Sequence, residues 1–280
     1  MKYLVLAFFT ICSTIELSAQ KPDPEALLRE GKKLYRLEKA AWYATDHFLM
    51  NFQDKRDSVG GYLSYQGVDG LIYSIFFNRD LNKILVRYQF GKDPAPIPEM
   101  VNTEMGLPIG DEGDLIVIRQ KAVDMLTSNK DSFFTFYENT SFNPIPLIEG
   151  DQRKVYVLTA SKKQGSIFIG NDYLLEYNAN NELKSKRKLH NSLIEIPFQT
   201  SDEQEALGTM HTHILSNHME PTDICTLLLY KDYVNWSQHY TIHKDYISIL
   251  DLKKENLVII AKKAFDKIQN SKRLSQPGNH

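Results

Sequence analysis

The chain has 280 residues, 42% hydrophobic and 24% charged, a balance ordinary for a globular protein and enough for one large domain or two small ones. A formal net charge of -2 leaves no cationic excess, which argues against nucleic acid or an anionic membrane as the main partner. The expected partner is a protein, a peptide or a small molecule.

Residues 1–19 read as a secretory signal, because Lys2 precedes the apolar run Tyr3 to Ile11 and Leu17-Ser18-Ala19 offers small residues before Gln20. The run is short for a bilayer span, so the mature chain is expected to lack one and to be exported, to the periplasm or beyond. Once the signal is removed, Cys225 is the only cysteine, so no intrachain disulfide can form. Its apolar neighbours from Ile224 to Tyr230 make it a small buried hydrophobe rather than a nucleophile.

The mature chain opens with Asp23-Pro24, a cap and first-turn pair. A long helix follows, with Leu27, Leu28, Gly31, Leu34, Tyr35, Glu38, Ala41, Trp42, Thr45, Phe48 and Leu49 recurring every three or four residues. Tyr62 to Tyr65, Leu71 to Phe77 and Ile84 to Phe90 read as an antiparallel meander, separated by turn residues. Four prolines between Gly91 and Gly110 mark an extended connector. A second helix is expected from Asp111 to Leu126 and a strand from Asp131 to Tyr137. Asn139 to Gly150 reads as a boundary, giving an N-terminal α/β region at 20–150, a second region at 151–270 and a flexible tail at 271–280.

In the second region, strands are expected at Lys154 to Thr159, Ser166 to Ile169, Asp172 to Tyr177, Glu182 to Leu189 and Leu193 to Phe198. Asn178-Ala-Asn-Asn181 joins the third and fourth as a hairpin. Ala206 to His213 reads as a strand, Asp223 to Val234 as a helix capped by Thr222, and His239 to His243 and Tyr246 to Leu250 as a strand pair with His239 and His243 facing solvent. Leu257 to Ile260 is strand-like and Ala261 to Gln269 helix-like, so the class is α+β, or mixed α/β.

The chemistry concentrates between Gly208 and Tyr230. Strand alternation places His211 and His213 on one face, and the helix start brings Asp223 back over the strand end. Two imidazoles and a carboxylate are the ligand types of a three-coordinate catalytic zinc, which leaves a fourth position for water. His218, in the intervening loop, is an alternative ligand or a neighbour that orients one.

His211-Thr-His213 and Asp223 resemble the signature of the JAMM/MPN metalloproteases, which is His-x-His-Pro, a loop, Ser-x-x-Asp and a separate upstream glutamate. The resemblance covers about Lys154 to Ile260. It implies an α/β domain with a curved sheet and flanking helices, zinc on His211, His213 and Asp223, and hydrolysis of a peptide or isopeptide bond. The chain departs from the signature at Ile214, where the family has proline, at Glu220, where it has serine, and in a loop shorter by one residue. Thr222 has two readings: the replacement for that serine, which helps stabilise the oxyanion in the family, or the helix cap alone. Glu176 is the first candidate for the proton-carrying glutamate and Glu195 the second. Two further readings stand beside the hydrolase: an inactive JAMM-like binding or assembly module, and a structural or metal-buffering protein with a closed four-ligand zinc site. No nucleotide-binding loop, zincin motif or serine-hydrolase elbow is present.

Overall fold

The computed structural model describes residues 21–198 and 208–275. The segment read as a signal at 1–19, the whole spacer before the histidine strand together with residues 206–207 of that expected strand, and the end of the tail lie outside them. Helix α1 (Pro24–Asn51) starts where Asp23 Oδ1 accepts from the N–H groups of Glu25 at 3.0 Å and Ala26 at 3.3 Å. Its apolar stripe buries Gly31, Leu34, Leu37, Ala40, Ala41, Ala44 and Phe48, while Trp42 and Leu49 stay exposed.

After a short 3-10 turn, β1 (Val59–Gln66), β2 (Ile72–Asn78) and β3 (Ile84–Phe90) form the expected meander. Within the proline-rich connector, β4 (Met100–Asn102) adds a short edge strand to β3. Helix α2 (Glu112–Ser128) sets Leu115 and Ile116 against Ile75, Phe77 and Ile84 of this sheet.

Asp131 to Tyr137 is a loop, not the expected strand. Asn129 ends α2 at φ 35°, and its side chain holds the Phe134 backbone twice, donating to the carbonyl at 2.9 Å and accepting from the N–H at 3.0 Å. That local bonding satisfies groups that a strand would offer to a neighbour.

The segment read as a boundary is itself a strand. Gly150, at φ 57°, turns β5 (Thr140–Glu149) into β6 (Gln152–Ser161), and the two pair along their full length. Pro144 and Pro146 are tolerated because β5 is an edge strand. Next come β7 (Ser166–Gly170), β8 (Tyr173–Tyr177), β9 (Leu183–Lys188) and β10 (Leu193–Pro197). The turn at Asn178 to Asn181 makes β8 and β9 the expected hairpin.

The last part comprises β11 (Gly208–Thr212), α3 (Pro221–Leu229), β12 (Gln238–Ile242), β13 (Tyr246–Asp251), β14 (Asn256–Ala261) and α4 (Lys262–Ser275). β11 and β12 are parallel, and the other pairs in this sheet are antiparallel. The protein is thus mixed α/β, with an N-terminal helix and antiparallel strands.

The curved sheet implied by the JAMM/MPN resemblance is not formed. Among the described residues the strands from β5 onward are divided among open sheets ordered β5-β6-β8-β9, β10-β7 and β11-β12-β13-β14, none closed or curled. The cause lies at Gly170 and Asn171, with φ of 102° and 56°. They swing the chain so that β8 pairs with β6 while β7 pairs with β10 alone.

Helix α1 packs against elements from both halves of the described chain. Leu34 and Phe48 share a core with Phe76, Tyr88, Tyr156 and Cys225, and Leu27 and Leu28 pack against the cluster of Ile224, Leu228 and Leu250. Among the described residues no helix is long and apolar enough to cross a membrane.

Candidate metal centre

A parallel β-α-β unit brings the start of its helix back over the carboxyl ends of its strands. In β11-α3-β12 this places Asp223 over the end of the histidine strand. Alternation leaves Met210 and Thr212 exposed and buries His211 and His213, whose ring centres lie 4.7 Å apart. Glu220 is the N-cap of α3, and Asp223 Oδ2 accepts from its N–H at 3.0 Å, fixing the carboxylate at the positive end of the helix. Thr222 is therefore not the cap. It lies in the first turn, fully buried, with no hydrogen-bond partner for its hydroxyl.

A third group arrives from elsewhere in the chain. After the exposed, basic strand β9, Leu189 and His190 turn inward, and His190 Nε2 comes within 2.8 Å of Asp223 Oδ1. His213 Nε2 lies 3.1 Å from Asp223 Oδ2, and one ligand atom from each of His190, His213 and Asp223 falls within 4.8 Å of the others. These approaches are close but not aligned as hydrogen bonds: both Nε2 atoms and Asp223 Oδ1 are buried without a partner. Buried polar atoms are seldom left so. A divalent cation shared among them would satisfy all three, and two imidazoles with a carboxylate suit zinc.

The far side of the His213 and His211 rings is held by hydrogen bonds, whereas that of His190 faces a carboxylate without one. Ser216 Oγ donates to the His218 carbonyl at 2.7 Å, so at 3.1 Å it accepts from His213 Nδ1–H. That tautomer leaves a lone pair on His213 Nε2. His190 Nδ1 faces Asp172 Oδ2 at 3.5 Å, and Asp172 Oδ1 accepts from the Thr159 N–H at 2.8 Å. His211 Nδ1 meets His239 Nε2 at 2.6 Å, and His239 Nδ1 meets Thr209 Oγ1 at 2.7 Å. His211 Nε2 is also buried and unpartnered, beside the His190, His213 and Asp223 group but outside it.

Burial is the largest single influence on the titration of these groups, though not always the deciding one. It raises Asp172 to about 6 despite the opposing charge of His190, and it lowers His211 to about 3 and His239 to about 4. At His190 burial is outweighed only by the acidic groups together, Asp223 first and then Asp172 and Glu220, which lift the imidazole to about 9. At Asp223 it is outweighed by His190 and His213, which hold the carboxyl well below its usual range.

Of the residues singled out in the sequence, His211, His213 and Asp223 are brought together. Glu176 and Glu195 are not. Glu176 is exposed on β8 and bonded to Ser185, while Glu195 is exposed on β10 with Lys163 and Ser166 as partners. His218 is half-buried and turned to the Met219 carbonyl. His239 and His243 are buried, not solvent-facing, because β12 is an inner strand between β11 and β13. His243 braces the loop after β11 through the Ser216 carbonyl and Ser248 Oγ.

His190 and Asp172 escaped the sequence reading. The first follows a run of lysine and arginine that reads as a solvated face, and the second sits in an Asn-Asp turn. Only burial marks them. A cleft of about 140 Å³ reaches His190, His211 and His213 between the apolar side chains of Ile169, Leu189 and Ile194.

Comparison of the chain with protein families, with curated proteins and with solved structures found no match. The likeness to JAMM/MPN enzymes thus rests on the His-x-His and Asp residues themselves.

Proposed function

We propose that the protein is an exported, zinc-dependent hydrolase of JAMM-like type, acting on an amide bond in a protein or peptide. The observation that carries this reading is the convergence of buried, unpartnered donors on His190, His213 and Asp223. Zinc held by these three side chains supplies Lewis acidity and a water of lowered pKa. The chain's own residues prepare the site. Ser216 fixes the tautomer of His213, Asp172 faces the outer nitrogen of His190, and the Glu220 N–H holds Asp223. His211 lines the cleft beside them, positioned to contact the metal or the substrate carbonyl. The apolar walls of the cleft exclude water around a bound peptide segment.

A second reading, a JAMM-like binding module without catalysis, is favoured by one observation: neither Glu176 nor Glu195 is at the cleft, so the expected proton carrier is missing. One experiment separates the two. The purified protein is assayed for zinc and for cleavage of a mixed peptide library, with His213→Ala as control. Zinc together with chelator-sensitive cleavage supports the hydrolase, zinc without cleavage supports the module, and absence of zinc from folded protein sinks both.

A further inference from the structure

A second cavity, of about 220 Å³, lies where α1, β1, α2, the β5-β6 hairpin and the end of α3 meet. None of His190, His213 or Asp223 lines it. Its walls carry a carboxylate, Glu38, and a guanidinium, Arg119, together with the rings of Trp42, Tyr62 and Tyr230.

Glu38 is withdrawn from water and Arg119 partly so, and neither is paired with a charge. Glu38 is 6% exposed and accepts one hydrogen bond, from Asn143 Nδ2 at 2.5 Å. Arg119 rests its guanidinium 5.6 Å from the centre of the Tyr62 ring, and its Nε is buried with no hydrogen-bond partner. Among the described residues neither forms an ion pair within 4.0 Å, although each feels the other's charge. Burial pushes the Glu38 carboxyl up to about 7 and the Arg119 guanidinium down, as it does for charges without a close partner. Isolated buried charges are costly and are normally compensated. Here an acid and a base face one space without collapsing onto each other.

We infer that this cavity binds a small zwitterion, a free α-amino acid, with its carboxylate on Arg119, its ammonium on Glu38 and its side chain among the Trp42, Tyr62 and Tyr230 rings. A guanidinium fork matches a carboxylate, and aromatic faces favour a neighbouring ammonium. The volume agrees: it falls below the roughly 300–1,000 Å³ of drug-sized sites, yet holds more than a few waters. Trp42 is 38% exposed and packs edge-on to Tyr230 at 6.1 Å, forming a rim through which a ligand of this size can enter. The inference is independent of the zinc reading.

The test is a thermal-shift and calorimetric screen of the full mature protein against the standard L-amino acids at millimolar concentration. At least one is expected to bind. For that amino acid, the N-acetyl and carboxamide derivatives, each lacking one charge, are expected to bind about tenfold or more weakly to the wild-type protein. In Arg119→Gln the free acid and its carboxamide should bind with equal weakness, and in Glu38→Gln the same should hold for the free amine and its N-acetyl form. Failure of every amino acid to bind overturns the inference, as does equal binding of the charged and neutralised forms. The derivative series uses wild-type protein, so poor folding of a variant does not leave the question open.

Discussion

Gly31 of α1 and Ile224 of α3 are in such close contact that a Cβ on Gly31 would fall 2.5 Å from Ile224 Cβ and 3.1 Å from the Pro221 carbonyl. Helix α1 therefore presses directly on the turn that presents Asp223. Gly31→Ala is expected to force the helices apart and to cost about 1–3 kcal/mol, the usual penalty for overpacking. Because Ile224 adjoins Asp223, zinc affinity should fall with it. Urea unfolding and a zinc titration of the variant check both effects.

Ser216 acts on His213 through its hydroxyl alone, by accepting from Nδ1–H. Ser216→Ala should keep the fold yet weaken zinc binding about 10–100-fold, the range seen when a partner behind a metal-binding histidine is lost. Competition against a chelator of known affinity measures this, with circular dichroism to confirm folding.

Away from the site, Glu112 is fully buried and fully bonded. It accepts from Arg87 Nε at 2.9 Å and Nη2 at 2.7 Å, from Tyr65 Oη at 2.7 Å and from the Ile109 N–H at 2.8 Å. Glu112→Ala leaves the Arg87 guanidinium without its partner and is expected to cost about 3–5 kcal/mol. Replacing Arg87 by Met in the same chain should recover part of that loss. Denaturant midpoints of the single and double variants decide it.

Glu38 gives a pH dependence of defined sign. Burial raises its folded pKa from 4.5 to about 7, so the folded state binds the proton more tightly than the unfolded one. Its contribution is fully present below pH 4.5 and is lost as pH rises through 7, on the order of 3 kcal/mol in all. Glu38→Gln keeps the Asn143 bond and removes the titration. Relative to wild type, the variant should therefore gain stability between pH 5 and 8, which urea midpoints across that range would show.

The helices and most strands were legible because their signals are local: the Asp23-Pro24 cap, the α1 stripe, the asparagine turn between β8 and β9, and the alternation that sets His211 beside His213. What stayed hidden depends on contacts distant in sequence. His190 gains its meaning only when β9 is seen to end against α3, and Asp172 only when Thr159 and His190 are found around it. The burial of His239 and His243 followed from the place of β12 inside a sheet, which periodicity does not reveal. The family resemblance misled on the sheet because Gly170 and Asn171 redirect one strand through their backbone angles. It misled on the glutamate because charges among apolar neighbours, as at Glu176 and Glu195, here mark outward faces paired with Ser185, Lys163 and Ser166.

The central claim, a zinc centre on His190, His213 and Asp223, meets its most direct test in the metal content of the purified protein by mass spectrometry, wild type beside His190→Ala and His218→Ala. About one zinc per chain is expected in wild type and in His218→Ala, with zinc lost from His190→Ala. Zinc retained in full by folded His190→Ala, or none in folded wild type after exposure to the metal, would contradict it.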